Sequence, residues 1–204
     1  MRMIGIVDYG AGNLGSLAGV FESLGIYAEV VRQPEMIARP DVLVLPGVGA
    51  AGKAMERLVD SGMASALRDR HSEGRPILGI CLGAQLLCGF LREGNCSGFG
   101  WIESSVEPLT EYPFYNNGWC RLDFNALQRA GLARALSGTS TFYFNHRYAM
   151  GSDAKMKCVH VEGRTDLPAV YLDGVICAVQ FHPEKSQLEG RILLRNILED
   201  HYGL

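Results

Sequence analysis

One cysteine, Cys81, lies in a five-residue pattern that is typical of an activated nucleophile. Residues 79–83 read Gly-Ile-Cys-Leu-Gly, and a nucleophile between two such glycines sits on a sharp turn from a strand into a helix. The first amides of that helix favour a thiolate, and any oxyanion that forms beside it. The chemistry would be thiolate attack on a carbonyl carbon; the alternative is a buried structural cysteine.

A thiol nucleophile needs a base from elsewhere in the chain, and two of the five histidines are serious candidates. His182 follows a predicted strand over 175–181, and the ends of such strands gather site residues in open α/β sheets. Pro183 favours an extended backbone at His182, so Glu184 can turn to the same side and orient the imidazole. His146 is the second candidate.

Acyl transfer also needs backbone donors for the negative charge that develops on the carbonyl oxygen. Gly47, Val48 and Gly49 follow the end of a predicted strand, and Leu82 comes directly after the nucleophile. Amides from these two places could form the donor set, although a plain turn would have the same sequence over 46–49.

The elements that must position these residues follow from the hydrophobic pattern. Apolar runs at 3–7, 28–31, 42–45 and 76–80 predict buried parallel strands, with helices over 15–24, 55–70 and 84–91. In the second half, strands are predicted over 99–108, 121–124, 141–144, 157–161, 169–172 and 175–181, and a closing helix over 188–202. We therefore expect one α/β domain over 1–204, with a mostly parallel sheet flanked by helices and an antiparallel extension.

Composition narrows the classes of partner and compartment. The formal net charge is −3 and the basic residues are scattered, which argues against nucleic acid or an anionic membrane as the main partner. No apolar run approaches the length of a membrane span, and no export signal is expected. The six cysteines form no C-x-x-C pair, so we expect reduced thiols in the cytoplasm and neither metal nor cofactor.

A glycine motif at residues 10–15 offers a competing interpretation. Its sequence, Gly-Ala-Gly-Asn-Leu-Gly, follows a strand, opens a helix and matches the dinucleotide-binding pattern, with Glu29 near the place of a ribose-binding acid. A nucleotide-binding oxidoreductase is thus an alternative, but it leaves Cys81, His182 and Glu184 without a role.

Taken together, three motifs resemble the class I, triad-type glutamine amidotransferases. They are residues 46–49, residues 79–83 with Gln85, and residues 180–186 (Gln-Phe-His-Pro-Glu-Lys-Ser), in the family's order. Within that family, residues 8–14 and the chain length resemble the glutaminase subunit of imidazole glycerol phosphate synthase.

The resemblance implies a function and roles for the residues. Cys81 would attack L-glutamine, His182 would pass the proton to the leaving ammonia, and Glu184 would orient His182. Amides of Leu82 and of Gly47, Val48 and Gly49 would hold the oxyanion, while Gln85 and Glu93 match positions that bind the α-substituents of glutamine. Beyond the resemblance, we expect His146 and Arg147 to bind the substrate as well. The ammonia would pass to a (β/α)8-barrel cyclase in a heterodimer of histidine biosynthesis, contacted by residues 8–13 and a face near Trp119. Such subunits are usually poor glutaminases until the partner docks.

Two segments depart from the family's usual pattern. Residues 116–120 read Asn-Asn-Gly-Trp-Cys in place of His-Met-Gly-Trp-Asn, and Arg147 replaces a serine or threonine. These departures favour an alternative: a divergent paralogue that feeds ammonia to another synthase, such as one amidinating a surface-polysaccharide sugar. A non-catalytic binding module and a cysteine peptidase or γ-glutamyl hydrolase are further alternatives.

Overall fold

The computed structural model describes residues 2–110, 115–153 and 155–204. Its strands are β1 (Met3–Val7), β2 (Tyr27–Val31), β3 (Val42–Leu45), β4 (Ile77–Ile80), β5 (Cys88–Leu91), β6 (Cys96–Ser97), β7 (Ile102–Pro108), β8 (Asn116–Arg121), β9 (Thr141–His146), β10 (Tyr148–Met150), β11 (Lys157–Val161), β12 (Arg164–Asp173) and β13 (Ile176–Val179). Its helices are α1 (Leu14–Ser23), α2 (Ala51–Asp60), α3 (Met63–Ser72), α4 (Leu82–Leu86), α5 (Phe124–Arg129) and α6 (Gln187–Asn196), which continues as a π-helical turn over Ile197–His201.

The central sheet has seven strands in the order β11-β12-β13-β4-β3-β1-β2. The five strands from β13 to β2 are parallel to one another, and β12 and β11 add antiparallel pairs at one edge. The expected mostly parallel sheet with an antiparallel extension is therefore confirmed. A four-stranded sheet (β10-β7-β5-β6) and the β8–β9 pair are separate from it.

Both faces of the central sheet are buried. Side chains along a strand alternate between the two faces, so each strand contributes to two cores. On β3, Val42 and Val44 point into a core shared with α1, α6 and β9, whereas Leu43 and Leu45 point into a second core with α2, α3 and α4. The continuous apolar runs of the parallel strands thus reflect burial on both faces. Among the described residues, no helix is both long and apolar enough to cross a membrane.

Three predicted elements are wrong in extent or type. The helix over 55–70 is two helices, because Gly62 adopts a left-handed backbone (φ +75°) between α2 and α3. The helix over 84–91 ends at Leu86, and strand β5 follows and pairs with β7. The strand over 121–124 is instead the end of β8 followed by α5, whose N-terminus is capped by Asp123 accepting from the Ala126 amide (3.0 Å).

The fully buried Arg70 connects helix α3 to the segments that lead into β3 and β4. The guanidinium of Arg70, on α3, donates to the backbone carbonyls of Ile37, Pro40, Asp41 and Pro76 at 2.9–3.2 Å. Burial lowers the pKa of Arg70 to about 10, with a further lowering from Arg75. The side chain therefore remains charged at neutral pH, and its donors are satisfied by carbonyl oxygens.

Candidate active site

Cys81 lies at the turn between β4 and α4, in a backbone conformation that few non-glycine residues adopt. Its φ and ψ angles are +52° and −110°, and such strain persists only where neighbouring structure enforces it. The Cys81 amide donates to the Val179 carbonyl (2.8 Å), and its carbonyl accepts from the Gln85 amide (3.1 Å). The turn is therefore fixed on the strand side and on the helix side, and the Cys81 residue is 6% exposed.

The two glycines around Cys81 are required by close packing. A Cβ atom at Gly83 would lie 1.8 Å from the Leu45 carbonyl oxygen, and one at Gly79 would lie 2.7 Å from the Ala84 Cα. Both separations are far inside van der Waals contact. The sequence pattern thus corresponds to a helix start pressed against the ends of β3 and β4.

His182 and Glu184 form a buried pair beside Cys81. The distance between His182 Nδ1 and Glu184 Oε1 is 2.8 Å, and the two side chains are 2% and 3% exposed. The backbone of His182 is held by its amide donating to the Tyr143 carbonyl (2.8 Å) and its carbonyl accepting from the Ser186 hydroxyl (2.6 Å). The imidazole is therefore oriented by both its side-chain and its backbone contacts.

The electrostatics of this pair favour an imidazolium. Burial lowers the pKa of His182, but hydrogen bonds and charge interactions with Cys81 and Glu184 outweigh it and raise the pKa to about 9. A protonated His182 beside Cys81 can give its proton to a group leaving the carbon that the sulfur attacks. The arrangement can thus deliver a nucleophile and an acid to one carbonyl group.

His146, the second candidate base, lies in the same site as Cys81 and His182, and each of its ring nitrogens lies near a polar atom. Nδ1 lies 2.8 Å from the Tyr148 carbonyl oxygen and Nε2 lies 3.4 Å from Asn116 Nδ2. Burial lowers the pKa of His146 to about 4, and the charge of His182 adds to that lowering. His146 is therefore neutral at physiological pH, and His182 is the histidine that contacts Cys81.

Cys81, His146 and His182 line a cavity of about 490 Å³. It contains most of the residues that the sequence singled out, together with three that it did not: Tyr115, Asn145 and Tyr148. The lining consists of Val48, Gly49, Cys81, Leu82, Gln85, Glu93, Tyr115, Asn145, His146, Arg147, Tyr148 and His182. Glu184 lies behind His182, and Gly47 is packed behind the wall.

The polar side chains predicted to bind substrate differ in their burial and in their contacts. Gln85 is buried and its amide nitrogen donates to the Tyr148 carbonyl oxygen (2.8 Å). Glu93 is exposed and one of its oxygens accepts from the Ala51 amide (2.8 Å) at the start of α2. The guanidinium of Arg147 lies 5.9 Å from the centre of the Tyr115 ring. A cation, a carboxylate and an amide thus converge on the cavity.

The predicted oxyanion donors come from two segments that pack against each other, since a Cβ atom at Gly47 would lie 2.8 Å from the Leu82 Cβ. Leu82 is the first residue of α4, so its amide has no acceptor within the helix. Val48 and Gly49 line the cavity from the 46–49 loop after β3, and Gly49 has the positive φ of +105° that favours glycine. Two residues that lie in the family motifs but had no predicted role of their own, Tyr9 and Ser186, support the 46–49 loop and His182 respectively.

Fold and site together define an α/β chain with a cysteine at a strained strand-to-helix turn beside a buried histidine–carboxylate pair. Residues 5–200 match the family model described as glutamine amidotransferase class-I. The HisH subunit of imidazole glycerol phosphate synthase from Synechococcus sp. (strain CC9902) is 36% identical, covering 96% of this chain and 93% of that protein. The corresponding subunit from Symbiobacterium thermophilum is 38% identical, with the same coverage. The chain therefore belongs to the class I glutamine amidotransferases, in the group of the HisH subunits.

Solved structures agree on the fold. A crystal structure of a glutamine amidotransferase superposes with a TM-score of 0.74 at 20% identity, covering 98% of this chain and 99% of the other. The structure of PurLQS from Thermotoga maritima superposes with a TM-score of 0.74 at 15% identity, covering 98% of each chain.

Proposed function

We propose that this chain is the glutaminase subunit of an imidazole glycerol phosphate synthase. The observation that carries the proposal is the cavity in which a strained Cys81 meets the buried His182–Glu184 pair. The similarity to HisH subunits over nearly the whole chain supports the assignment of the substrate as L-glutamine.

The proposed reaction has two halves. The Cys81 thiolate attacks the side-chain carbonyl carbon of glutamine, and His182 gives its proton to the departing ammonia, leaving a γ-glutamyl thioester. Water, deprotonated by His182, then releases glutamate and restores the thiol. Glu184 holds the imidazole through Nδ1 in both halves, and amides of Leu82 and the 46–49 loop stabilise the two oxyanions. Gln85, Glu93, His146 and Arg147 form the wall that selects the substrate.

The surface beside the cavity supports a synthase partner, which we propose to be a (β/α)8 barrel in a cytoplasmic heterodimer. Among the residues that the structure describes, three large apolar side chains are exposed there: Val48 (45%), Tyr115 (40%) and Trp119 (47%). Exposed aromatic residues are enriched at protein interfaces. Tyr143 extends this surface, because its ring packs edge-on against Trp119 at 5.8 Å.

A second acceptor remains a candidate because the β8–β9 surface carries the departures from the family pattern. Asn117 connects the hydroxyls of Tyr115 (2.7 Å) and Tyr143 (2.9 Å), and Arg147 lies over Tyr115. A divergent partner, such as a synthase amidinating a surface-polysaccharide sugar, would meet this surface. Identifying the protein that co-purifies with the chain, and the compound that it aminates, separates the two acceptors.

The glutaminase assignment is tested by glutamate release from the purified chain and from its complex with the co-purified synthase. Cys81→Ser should abolish turnover and leave binding to the synthase unchanged, because a hydroxyl replaces the thiolate inside the cavity. Cys158→Ser is the matched control, since Cys158 lies on β11 outside the cavity. Turnover remaining in Cys81→Ser, or lost equally in Cys158→Ser, would refute Cys81 as the nucleophile.

A further inference from the structure

Tyr9, in the segment after β1, is connected to the 46–49 loop by a buried hydrogen bond. Its side chain is 5% exposed, and its hydroxyl donates to the Pro46 carbonyl oxygen at 2.6 Å. Burial raises the pKa of Tyr9, and the charge of Cys81 raises it further, against a lowering by Arg57. The hydroxyl therefore keeps its proton and remains a donor at any working pH.

The same hydroxyl limits where the 46–49 loop can lie relative to the nucleophile. A Cβ atom at Gly47 would be 2.5 Å from the Tyr9 hydroxyl oxygen on one side and 2.8 Å from the Leu82 Cβ on the other. The backbone at Gly47 is thus enclosed between Tyr9 and the residue that follows Cys81. The position of the Tyr9 ring sets how closely the loop approaches the start of α4.

Tyr9 is followed directly by a glycine-rich segment, residues 10–12, near the surface. The Gly10 carbonyl accepts a hydrogen bond from Arg57 Nη1 (2.6 Å), and a Cβ atom at Gly12 would lie 3.1 Å from Pro46 Cγ. Residues 10–12 and residues 48–50 face one another across a second cavity of about 380 Å³, which Lys53 also lines. A displacement of residues 10–12 would therefore reach the 46–49 loop through Tyr9 and Pro46.

We propose that Tyr9 is a positioning residue for the reaction, and that its hydroxyl holds the 46–49 loop where the loop amides can stabilise the oxyanion. The inference rests on the proposed function, in which Cys81 hydrolyses glutamine.

The test compares Tyr9→Phe with Tyr171→Phe in the complex with the co-purified synthase subunit. Tyr171 is a matched control, because it is fully buried and donates to a backbone carbonyl, that of Gly151 (2.7 Å), outside the catalytic cavity. Each variant loses one buried hydroxyl–carbonyl bond, so both should lose a similar amount of thermal stability. Only Tyr9→Phe should change the chemistry.

For Tyr9→Phe, we expect kcat for glutamine to fall by about tenfold or more, a part of the loss caused by deleting an oxyanion donor outright. KM should stay within about twofold of the wild type, since no residue of the substrate wall is changed. Alkylation of Cys81 by iodoacetamide should also keep its rate, because it needs the thiolate but forms no oxyanion. Tyr171→Phe should leave all three quantities unchanged.

The inference is overturned if the kinetics of Tyr9→Phe match those of Tyr171→Phe in an active complex. It is equally overturned if kcat rises, or if the iodoacetamide rate falls together with kcat, because the thiolate rather than the oxyanion would then be affected. Absence of glutamate release by the wild-type complex would overturn the proposed function itself, and this inference with it.

Discussion

Replacing Glu184 with glutamine should lower the pKa of His182 while leaving the imidazole in place. The side chain keeps an oxygen that can accept the Nδ1–H bond, but the negative charge is lost. In the wild type the pKa of His182 lies at about 9, against an unperturbed value of about 6.5, which corresponds to about 3 kcal/mol in favour of the imidazolium. Because burial acts in the opposite direction, the combined contribution of Cys81 and Glu184 is larger than this net value.

The titration midpoint of the His182 ring, followed by NMR, should therefore fall by about one pH unit or more in Glu184→Gln. Glu93→Gln is the matched control, because Glu93 lines the same cavity but bonds to the Ala51 amide. Turnover should also fall, by as much as about 10⁴-fold, since the imidazolium loses the carboxylate that stabilises it during the reaction. An unchanged midpoint in Glu184→Gln, or an equal shift in Glu93→Gln, would refute the electrostatic role of Glu184.

The raised pKa of His182 also makes the stability of the folded protein depend on pH. The folded-state pKa of His182 lies above its unfolded value, so the stabilisation is fully present below pH 6.5 and is lost as the pH rises through about 9. Urea unfolding of the wild type should thus show a loss of stability across that window, and Glu184→Gln should show a smaller one. An equal loss in both proteins would contradict the assignment.

Three further substitutions probe the supports of the site and its wall. Arg70→Met should cost on the order of 4 kcal/mol in urea unfolding, because four backbone carbonyls each lose a bond from the guanidinium. Arg39→Met, at the exposed surface, should cost little. Gly83→Ala should abolish turnover, since its Cβ would lie 1.8 Å from the Leu45 carbonyl oxygen. Arg147→Ala should raise KM for glutamine by about tenfold with kcat preserved, if its guanidinium holds the substrate's α-carboxylate.

Controls for the last two variants lie in the same elements or beside them. Gly89→Ala places a Cβ no closer than 3.6 Å to its nearest neighbour and should keep turnover. Arg121→Ala removes an exposed arginine of β8 that pairs with Glu162 (2.6 Å), and KM should not change. Turnover surviving in Gly83→Ala, or an unchanged KM in Arg147→Ala, would contradict the reasoning for that residue.

The sequence was sufficient for contacts that are local or that recur as a motif. Cys81 and its glycines form a five-residue unit, and Glu184 lies two residues from His182, so each could be predicted from spacing. Tyr9 could not, because its partner Pro46 is 37 residues away and nothing in either local sequence pairs them. The strand β5 was missed for a related reason: its partner β7 is a separate segment, and pairing with that segment outweighs the helical pattern of residues 84–91.

The glycine motif over residues 10–15 illustrates why a pattern of this kind needs its surroundings. A phosphate-binding turn and other turns with positive φ angles both favour glycine, so the local motif is compatible with a dinucleotide even though the rest of the sequence does not favour one. In the structure, an added Cβ at Gly12 would lie close to Pro46. The third glycine of a dinucleotide motif is needed for close helix–strand packing. Gly15, at that position, has no atom within 4 Å of an added Cβ. Glu29, the candidate ribose ligand, faces Arg39 at 3.7 Å. Gly12 is therefore better explained by the approach of the 46–49 loop than by a nucleotide, and this contact connects the motif to the site at Cys81.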